Sequence, residues 1–273
     1  MTIIKQYPNN SKSERIDKII LSMFPHLSRN KIHELIKSGS VNYQGKRVDK
    51  ASLLININTN INTNTDNLKS EIEIIDQDSL FVGRGAKKIQ AAIQHFSLEK
   101  FMYDKVIADI GAGTGGFTDY LLSLGVKKAY TVDVGHGQLD PKLLANPCVQ
   151  NFEGINIKDP NFLLPELVDL AVVDLSFISI TKVLKNIFSL VKTSESSSAV
   201  ICLYKPQFEV GKNALNKRGI VKNQNLVMEN LENFRLWCKQ NNYIICGEIP
   251  SPIKGKEGNQ EYLFYLKIKT GEQ

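Results

Sequence analysis

A glycine-rich turn between a short strand and a helix is the part of this chain whose residue types best suit ligand binding. A β-branched run is followed by three glycines at alternate positions, Gly111, Gly113 and Gly115. Glycine accepts positive φ at little steric cost, so backbone N–H groups can approach a ligand closely. The next strand ends at Asp133, 24 residues after Asp109. An acid at that interval commonly binds the ribose hydroxyls of an adenine nucleoside, so the pattern predicts a nucleoside cofactor.

Asp109 narrows the choice of cofactor. The sequence from Asp109 reads Asp-Ile-Gly-Ala-Gly-Thr-Gly, which differs from the dinucleotide fingerprint Gly-x-Gly-x-x-Gly. An acid directly before the loop would repel a pyrophosphate, whereas it suits a cationic ligand that bears an amino acid. S-adenosylmethionine (SAM) meets these demands better than NAD does. A Gly-x-x-x-x-Gly-Lys-Ser/Thr loop for nucleoside triphosphates does not occur in the sequence.

Two further charged residues stand directly after predicted strands. Asp174 follows the apolar run 168–173, and Lys205 follows the apolar run 199–204. Ligands of open α/β sheets bind beyond the carboxyl ends of the strands, so we expect both side chains to face the cofactor crevice. A charge at a strand end also fits a solvated boundary. Pro206, which restricts the backbone next to Lys205, favours a functional role.

The pattern of elements predicts the architecture of the larger part of the chain. From about residue 80 onwards strands and helices alternate, which is typical of a doubly wound, mostly parallel α/β sheet of the Rossmann-like type. A helix is predicted over 88–96. Strands are predicted at 106–110, 129–133, 168–174, 198–204, 243–249 and 261–268. Only 250–260 separates the last two, so we expect an antiparallel hairpin at the edge of the sheet.

The first part of the chain predicts a small α+β module. An apolar stripe over 14–24 indicates a helix, and Ser28 can cap a second helix that ends at Gly39. A hairpin over 41–48 with a Gln-Gly turn follows, and 71–75 can complete its sheet. The alternating isoleucines of the Asn/Thr-rich stretch 56–67 could extend a strand, but its Asn and Thr content favours a loop or expanded turn, and no function is assigned to it. These boundaries predict a module at 1–68, a linker at 69–82 and a second domain at 83–273.

Positive charge is concentrated in this module. Residues 1–50 contain ten Lys or Arg and four acidic residues, a net charge of +6 that equals that of the whole chain. A basic module next to a balanced domain indicates a polyanionic partner, most often nucleic acid. The alternative is a capping subdomain whose charges are only solvated. The candidate RNA-binding residues are Arg15, Arg29, Lys31, Lys37, Lys46 and Arg47.

Other features of the composition exclude several classes of protein. The four cysteines lack the paired spacing of zinc sites, and we expect no metal site. The most apolar stretch, 167–180, is interrupted by Asp169 and Asp174, so we expect no membrane span and no membrane partner. The N-terminus lacks the apolar segment of a signal peptide. We therefore expect a cytoplasmic protein with reduced cysteines.

Several motifs together resemble one family. The segments are Val82-Gly-Arg-Gly-Ala-Lys-Lys-Ile, Asp109-Ile-Gly-Ala-Gly-Thr-Gly-Gly-Phe-Thr-Asp, Val132-Asp-Val-Gly-His-Gly-Gln-Leu, Val173-Asp-Leu-Ser-Phe-Ile-Ser, Lys205-Pro-Gln-Phe-Glu-Val-Gly and Gly258-Asn-Gln-Glu-Tyr-Leu. They resemble the TlyA family of ribosomal RNA 2′-O-methyltransferases, some of which carry haemolysin names. The catalytic part is similar to FtsJ-type RNA methyltransferases. The region from Ser28 to Val48 resembles the small RNA-binding module of bacterial pseudouridine synthases.

The resemblance implies a fold, a cofactor and a catalytic set. It implies a Rossmann-like SAM-dependent methyltransferase fold and a tetrad formed by Lys88, Asp174, Lys205 and Glu261. Lys205 would be the general base. A neighbouring ammonium and partial desolvation favour a neutral amine, whereas the two carboxylates oppose that effect.

The function implied is SAM-dependent methylation of a ribose 2′-hydroxyl, that of cytidine, in ribosomal RNA. Ribosomal RNA or a ribosomal subunit would then be the partner. Two alternatives remain at this point. One is a non-catalytic RNA-binding or ribosome-assembly factor, and the other is a membrane-lytic haemolysin.

Overall fold

The chain divides into two compact units, which are described separately. The units are Met1–Leu80 and Phe81–Gln273. The computed structural model describes residues 11–24, 27–58, 71–74, 80–193 and 199–269.

Two short helices form the core of the N-terminal unit. They are α1 (Ile16–Met23) and α2 (Arg29–Lys37). Each helix buries three apolar residues, Ile16, Ile19 and Ile20 from α1 and Ile32, Leu35 and Ile36 from α2. As predicted, Ser28 caps α2, because its side chain accepts a hydrogen bond from the N–H of Lys31. Both predicted helices are confirmed, although the first begins at Ile16 rather than at residue 14.

The strands of the N-terminal unit form two small antiparallel sheets. The strands are β1 (Ser11–Arg15), β2 (Val41–Tyr43), β3 (Lys46–Arg47), β4 (Leu54–Asn58) and β5 (Ile72–Ile74). The predicted hairpin is β2–β3, which turns at Gln44 and Gly45 with φ of 49° and 71°. β5 pairs with β2, which confirms the prediction that 71–75 completes the sheet of the hairpin and places a strand within the segment 69–82.

The pair β1–β4 was not predicted. Its strands are about 40 residues apart in sequence, and such a pairing leaves no local signature. The start of the Asn/Thr-rich stretch, 56–58, is part of β4 and corrects the prediction of a loop there. The rest of that stretch, 59–67, lies outside the described residues.

A seven-stranded sheet organises the C-terminal unit. Its strands are β6 (Val106–Ile110), β7 (Lys128–Val132), β8 (Val149–Phe152), β9 (Leu170–Val173), β10 (Ala199–Tyr204), β11 (Tyr243–Pro250) and β12 (Tyr262–Ile268). Their order is β11-β12-β10-β9-β6-β7-β8, and β12 runs antiparallel to both of its neighbours. The predicted parallel sheet with an antiparallel edge hairpin is confirmed. The edge strand β8 was missed, because its four residues include two polar ones and give a weak strand pattern.

Helices cover both faces of this sheet. They are α3 (Gly85–His95), α4 (Glu99–Met102), α5 (Gly116–Ser123), α6 (Pro141–Leu144), α7 (Leu184–Phe188) and α8 (Gln224–Gln240). Successive strand residues point to opposite faces. One face packs against apolar residues of α3 and α5, and the other packs against those of α7 and α8. The doubly wound arrangement that the strand–helix alternation predicts is therefore present.

Candidate active site

The strand order reverses at the centre of the sheet, and a cavity opens there. β6 is followed in the chain by β7 on one side, whereas β9 lies on its other side. The N–H of Asp174, directly after β9, donates to the carbonyl of Ile110 at the end of β6, with an N–O distance of 3.0 Å. The glycine loop and Asp174 thus meet at the switch point, where α/β sheets bind ligands. The cavity has a volume of about 1330 Å³.

The three loop glycines all have positive φ, but the space beside them differs. Their φ angles are 83° at Gly111, 53° at Gly113 and 90° at Gly115. A Cβ atom on Gly111 would lie 2.5 Å from the carbonyl oxygen of Asp174, and one on Gly115 would collide with Leu143. A Cβ on Gly113 would meet nothing within 4 Å. Gly111 and Gly115 therefore make room for neighbouring protein atoms, whereas Gly113 has open space beside it.

Backbone N–H groups hold the carboxylate of Asp133, one of them from the glycine loop. Its Oδ2 accepts a hydrogen bond from the N–H of Gly113 at 2.9 Å, and its Oδ1 accepts one from the N–H of Gly135 at 2.8 Å. A carboxylate can accept about four hydrogen bonds. Both oxygens therefore keep capacity for a ligand, and the side chain lines the cavity.

Asp109 is buried beneath the loop. Its Oδ2 accepts hydrogen bonds from the backbone N–H and the hydroxyl of Thr118, at 3.1 and 2.7 Å. The pKa of Asp109 is raised to about 7, chiefly by burial and also by the nearby carboxylates of Asp174 and Asp133, although the hydrogen bonds from Thr118 act to lower it. A cation in the cavity would favour the ionised carboxylate. The chemistry of this side chain therefore suits a positively charged ligand.

Four charged side chains from separate segments are linked by ion pairs in the same cavity. Lys205 Nζ lies 2.6 Å from Asp174 Oδ1, and Lys88 Nζ lies 3.7 Å from Asp174 Oδ2. Lys88 Nζ also lies 2.7 Å from Glu261 Oε2. Lys88, Lys205 and Glu261 are buried, whereas Asp174 is partly exposed. The charges alternate, so each buried ammonium has a carboxylate partner, as buried charges require. We call these four residues the tetrad.

Two polar residues next to the tetrad were not identified from the sequence. Lys205 Nζ donates to Ser176 Oγ at 3.0 Å, and Gln207 Nε2 donates to Glu261 Oε1 at 3.2 Å. Both residues lie inside motifs that carry the family resemblance, but their roles depend on tertiary contacts between separate loops. Glu209 accepts a hydrogen bond from the N–H of Ile180 and thereby joins the segments that follow β9 and β10. Burial raises the pKa of Glu209.

Unpaired polar atoms also point to a ligand in this cavity. Among the described residues, two buried side-chain atoms lack a hydrogen-bond partner, Asp109 Oδ1 and Gln207 Oε1. Both residues line the cavity. Buried polar groups are nearly always hydrogen-bonded in native proteins, so a ligand is a natural partner for these two atoms.

An aromatic pair lines the cavity, formed by the exposed Phe177 and the half-buried Phe208. Phe177 is 91% exposed and has a φ of 65°, an unusual conformation for a bulky residue. Its ring centroid lies 5.2 Å from that of Phe208, and Lys205 Nζ lies 5.8 Å from the Phe208 ring centroid. Such strain clusters at functional sites, and exposed aromatic faces can stack nucleobases.

The candidate RNA-binding residues of the N-terminal unit differ in their partners. Arg15 forms an ion pair with the buried Asp17, and this contact lowers the pKa of Asp17. Lys31 lies 3.8 Å from Glu34 and Arg47 lies 3.1 Å from Asp49. Arg29, Lys37 and Lys46 are exposed, and none of these three has an ion pair within the parts of the chain that the structure describes.

Two further features concern metals and membranes. In the described parts of the chain, no group of three or more His, Cys, Asp or Glu side chains is placed to hold a metal ion. No described helix is both long enough and apolar enough to span a bilayer.

Comparison with known proteins assigns the chain to a family. Residues 81–268 match the FtsJ-like methyltransferase family, and residues 14–61 match the S4 domain. The chain belongs to the FtsJ-like methyltransferase family. This methyltransferase carries an S4 domain at its N-terminus. The Rossmann-like methyltransferase fold with an N-terminal α+β RNA-binding module is therefore confirmed.

Individual relatives support the resemblance to the TlyA proteins. The chain is 35% identical over 261 residues to Hemolysin A of Brachyspira hyodysenteriae, and the match covers 93% of this chain and 100% of that protein. It is 31% identical over 264 residues to the 16S/23S rRNA (cytidine-2'-O)-methyltransferase TlyA of Mycobacterium tuberculosis, covering 95% of this chain and 92% of that protein. A solved structure from Streptococcus thermophilus that carries a hemolysin name has a TM-score of 0.65 at 30% identity, covering 94% of this chain and 88% of that one.

Proposed function

We propose that this protein is a cytoplasmic, SAM-dependent methyltransferase that methylates the ribose 2′-hydroxyl of a cytidine in ribosomal RNA. Relatives from Mycobacterium tuberculosis and Campylobacter jejuni carry this activity in their names. The observation that carries the proposal is the tetrad, two lysines and two carboxylates joined in one cavity beside a glycine loop of nucleoside-binding type. Ribosomal RNA or a ribosomal subunit is the corresponding partner.

The residues around the loop suit SAM, which when bound supplies the methyl group from its sulfonium. We assign to Asp133 the ribose hydroxyls of the cofactor, because its carboxylate is fixed by two backbone N–H groups and still has free acceptor capacity. Gly111, Gly113 and Gly115 shape the loop that would hold the cofactor. We assign to Asp109 an electrostatic attraction for the cationic part of the ligand, since it lines the cavity and its Oδ1 has no partner among the described residues.

Lys205 is the residue to which we assign proton removal. A ribose hydroxyl is a poor nucleophile until it loses its proton, so a base near the 2′-oxygen accelerates an in-line displacement. Nζ of Lys205 would accept that proton while its contacts with Asp174 and Ser176 keep it oriented. Lys205 must enter the step as a neutral amine, and Asp174 Oδ1 at 2.6 Å is the nearest atom to take its proton beforehand.

The remaining tetrad residues position this pair. Lys88 lies between Asp174 and Glu261 and pairs with both carboxylates. It therefore fixes the carboxylate that contacts Lys205, and Glu261 in turn fixes Lys88. Correct alignment of a nucleophile with its target can supply a large part of a rate enhancement.

Substrate binding is divided between two surfaces in this proposal. Phe177 at the mouth of the cavity is suited to stacking on the target base, because its ring is almost fully exposed. We assign the binding of structured RNA to the S4 domain, with Arg29, Lys37 and Lys46 as the candidate cations that have no acidic partner among the described residues. We assign weaker contributions to Arg15, Lys31 and Arg47, since each is already near a carboxylate.

Substitution of Lys205 tests the proposal. Lys205→Ala should abolish methyl transfer to ribosomal RNA and leave SAM affinity within about twofold, because the lysine acts on the hydroxyl. Lys205→Arg should be almost as inactive, since a guanidinium stays protonated and cannot accept a proton. Lys185→Ala, on the exposed side of α7, is the matched control and should behave as wild type. Near-normal turnover of Lys205→Arg would show that the base lies elsewhere.

The same preparations separate the proposal from its two rivals. A non-catalytic RNA-binding factor would show no turnover in the wild type, although it would bind ribosomal RNA. The haemolysin alternative rests on names, that of one relative and those of two solved structures. It predicts dye release from liposomes, which a methyltransferase does not require. Activity in the methylation assay without dye release supports the proposed enzyme.

A further inference from the structure

Two loops of the C-terminal unit concentrate positive charge. Residues 211–222, between β10 and α8, contain four basic residues and no acidic one, and residues 251–260, between β11 and β12, contain two basic residues and one acidic residue. The six basic side chains are all exposed: Lys212, Lys217, Arg218, Lys222, Lys254 and Lys256. Because residues 51–273 as a whole carry equal numbers of basic and acidic residues, net charge along the sequence does not reveal this surface.

Three of these lysines stand at the tetrad cavity. Lys212, Lys254 and Lys256 line it, and none of the three forms an ion pair within the described stretches of chain. Gly255 lies against the tetrad itself, since a Cβ atom there would be 2.5 Å from Glu261 Oε1. Lys254 and Lys256 therefore flank the point at which the 251–260 loop touches a tetrad carboxylate.

Asn259 fixes the two loops to each other. Its side chain is 5% exposed, its Oδ1 accepts a hydrogen bond from the N–H of Val221 at 3.0 Å, and its Nδ2 donates to the carbonyl of Gly219 at 2.9 Å. Within its own loop, the N–H of Gly255 donates to the carbonyl of Asn259 at 2.9 Å. One buried amide thus sets the spacing between lysines that belong to separate loops.

We propose that these loops form a phosphate-binding rim that holds the backbone of the substrate RNA across the tetrad, with Lys212, Lys254 and Lys256 as contacts and Asn259 as a positioning residue. Exposed, unpaired ammonium groups around a cavity suit phosphates, and the neighbouring Phe177 ring suits an unstacked base of a single-stranded segment. This inference rests on the proposed function and adds where the catalytic domain grips its substrate.

A charge-neutral triple variant tests the rim in the full-length protein. Lys212→Gln, Lys254→Gln and Lys256→Gln together should raise the KM for transcribed ribosomal RNA at least tenfold, with kcat and the Kd for SAM within about twofold of wild type. The slope of log affinity against log salt should fall by about 2, because each lost phosphate contact on a single strand removes about 0.7. The matched control is a triple variant with the same change at three exposed lysines that precede the amino-terminal ends of β6, β7 and β11, far from the carboxyl ends where the cavity opens. These lysines are Lys100, Lys127 and Lys239.

Two results would overturn the inference. One is a triple variant with wild-type KM and salt slope, and the other is the same loss in the matched triple, which would indicate a general charge effect. Equilibrium binding of the RNA is measured in parallel, so the rim remains testable even if the wild type transfers no methyl group and the proposed function fails.

Asn259→Ala separates a positioning role from a general structural one. It should raise KM without changing the Kd for SAM, and it should add little when combined with the triple variant, because both changes remove the same contacts. Additive effects would show that Asn259 does not act through the rim lysines.

Discussion

Replacement of Asp133 by alanine should weaken cofactor binding by an amount that follows from its contacts. The carboxylate is held by the N–H groups of Gly113 and Gly135, at 2.9 and 2.8 Å, so its free acceptor positions are already oriented. A hydrogen bond to a charged group contributes about 1.5–3 kcal/mol, and about 1.4 kcal/mol corresponds to a tenfold change in Kd. Loss of one ribose contact should therefore raise the Kd for SAM about 10-fold to 150-fold.

The assay must separate lost ribose contacts from a disturbed loop. Calorimetry gives the Kd of SAM and of an analogue that lacks a ribose hydroxyl, each for wild type and for Asp133→Ala. The four values form a thermodynamic cycle that isolates the contact between Asp133 and the ribose. Wild type should discriminate between the two ligands, and Asp133→Ala should not. Glu99→Ala, an exposed acid on α4, serves as the control and should discriminate as wild type does. Equal discrimination by Asp133→Ala would refute the assignment of Asp133 to the ribose.

Further predictions concern the pH dependence of binding and the division between the two units. Since the pKa of Asp109 is raised to about 7, this group becomes a carboxylate as pH rises from 6 to 8, so SAM affinity should increase over that range. The affinity for S-adenosylhomocysteine, which lacks the sulfonium charge, should increase less over the same pH range. In Asp109→Asn the two ligands should show the same pH dependence by calorimetry. Replacement of Arg29, Lys31 and Lys37 by glutamate should weaken binding to ribosomal RNA and lower its salt dependence without altering SAM affinity; unchanged RNA affinity would contradict this. We propose that the two units are separate domains, so a fragment beginning at Phe81 should unfold in one transition and bind SAM, whereas an unfolded fragment would refute that division.

Local sequence patterns predict much of the architecture of the C-terminal unit and part of the candidate site. Asp174 and Lys205 were placed at one edge of the sheet because strand–helix alternation indicates parallel strands, whose carboxyl ends share an edge. The structure brings the two charges to within 2.6 Å. That distance depends on the order β10-β9-β6, which the sequence pattern does not specify.

Other parts of the site needed information beyond local patterns. Lys88 lies on a helix and Glu261 precedes an antiparallel strand, so only the family resemblance pointed to them. Ser176, Gln207 and Asn259 act through contacts between loops that are far apart in sequence. Such contacts have no periodicity, and polar loop residues are too common for their positions to be informative alone.

The central claim is that the tetrad methylates a ribose in ribosomal RNA, and mapping 2′-O-methyl marks tests it most directly. The 2′-O-methyl marks are compared in ribosomal RNA from three kinds of cell: cells with the gene, cells without it, and cells whose only copy encodes Lys205→Ala. The account predicts at least one cytidine whose 2′-O-methyl mark is present in the first and absent in the other two. Identical maps in all three would contradict it.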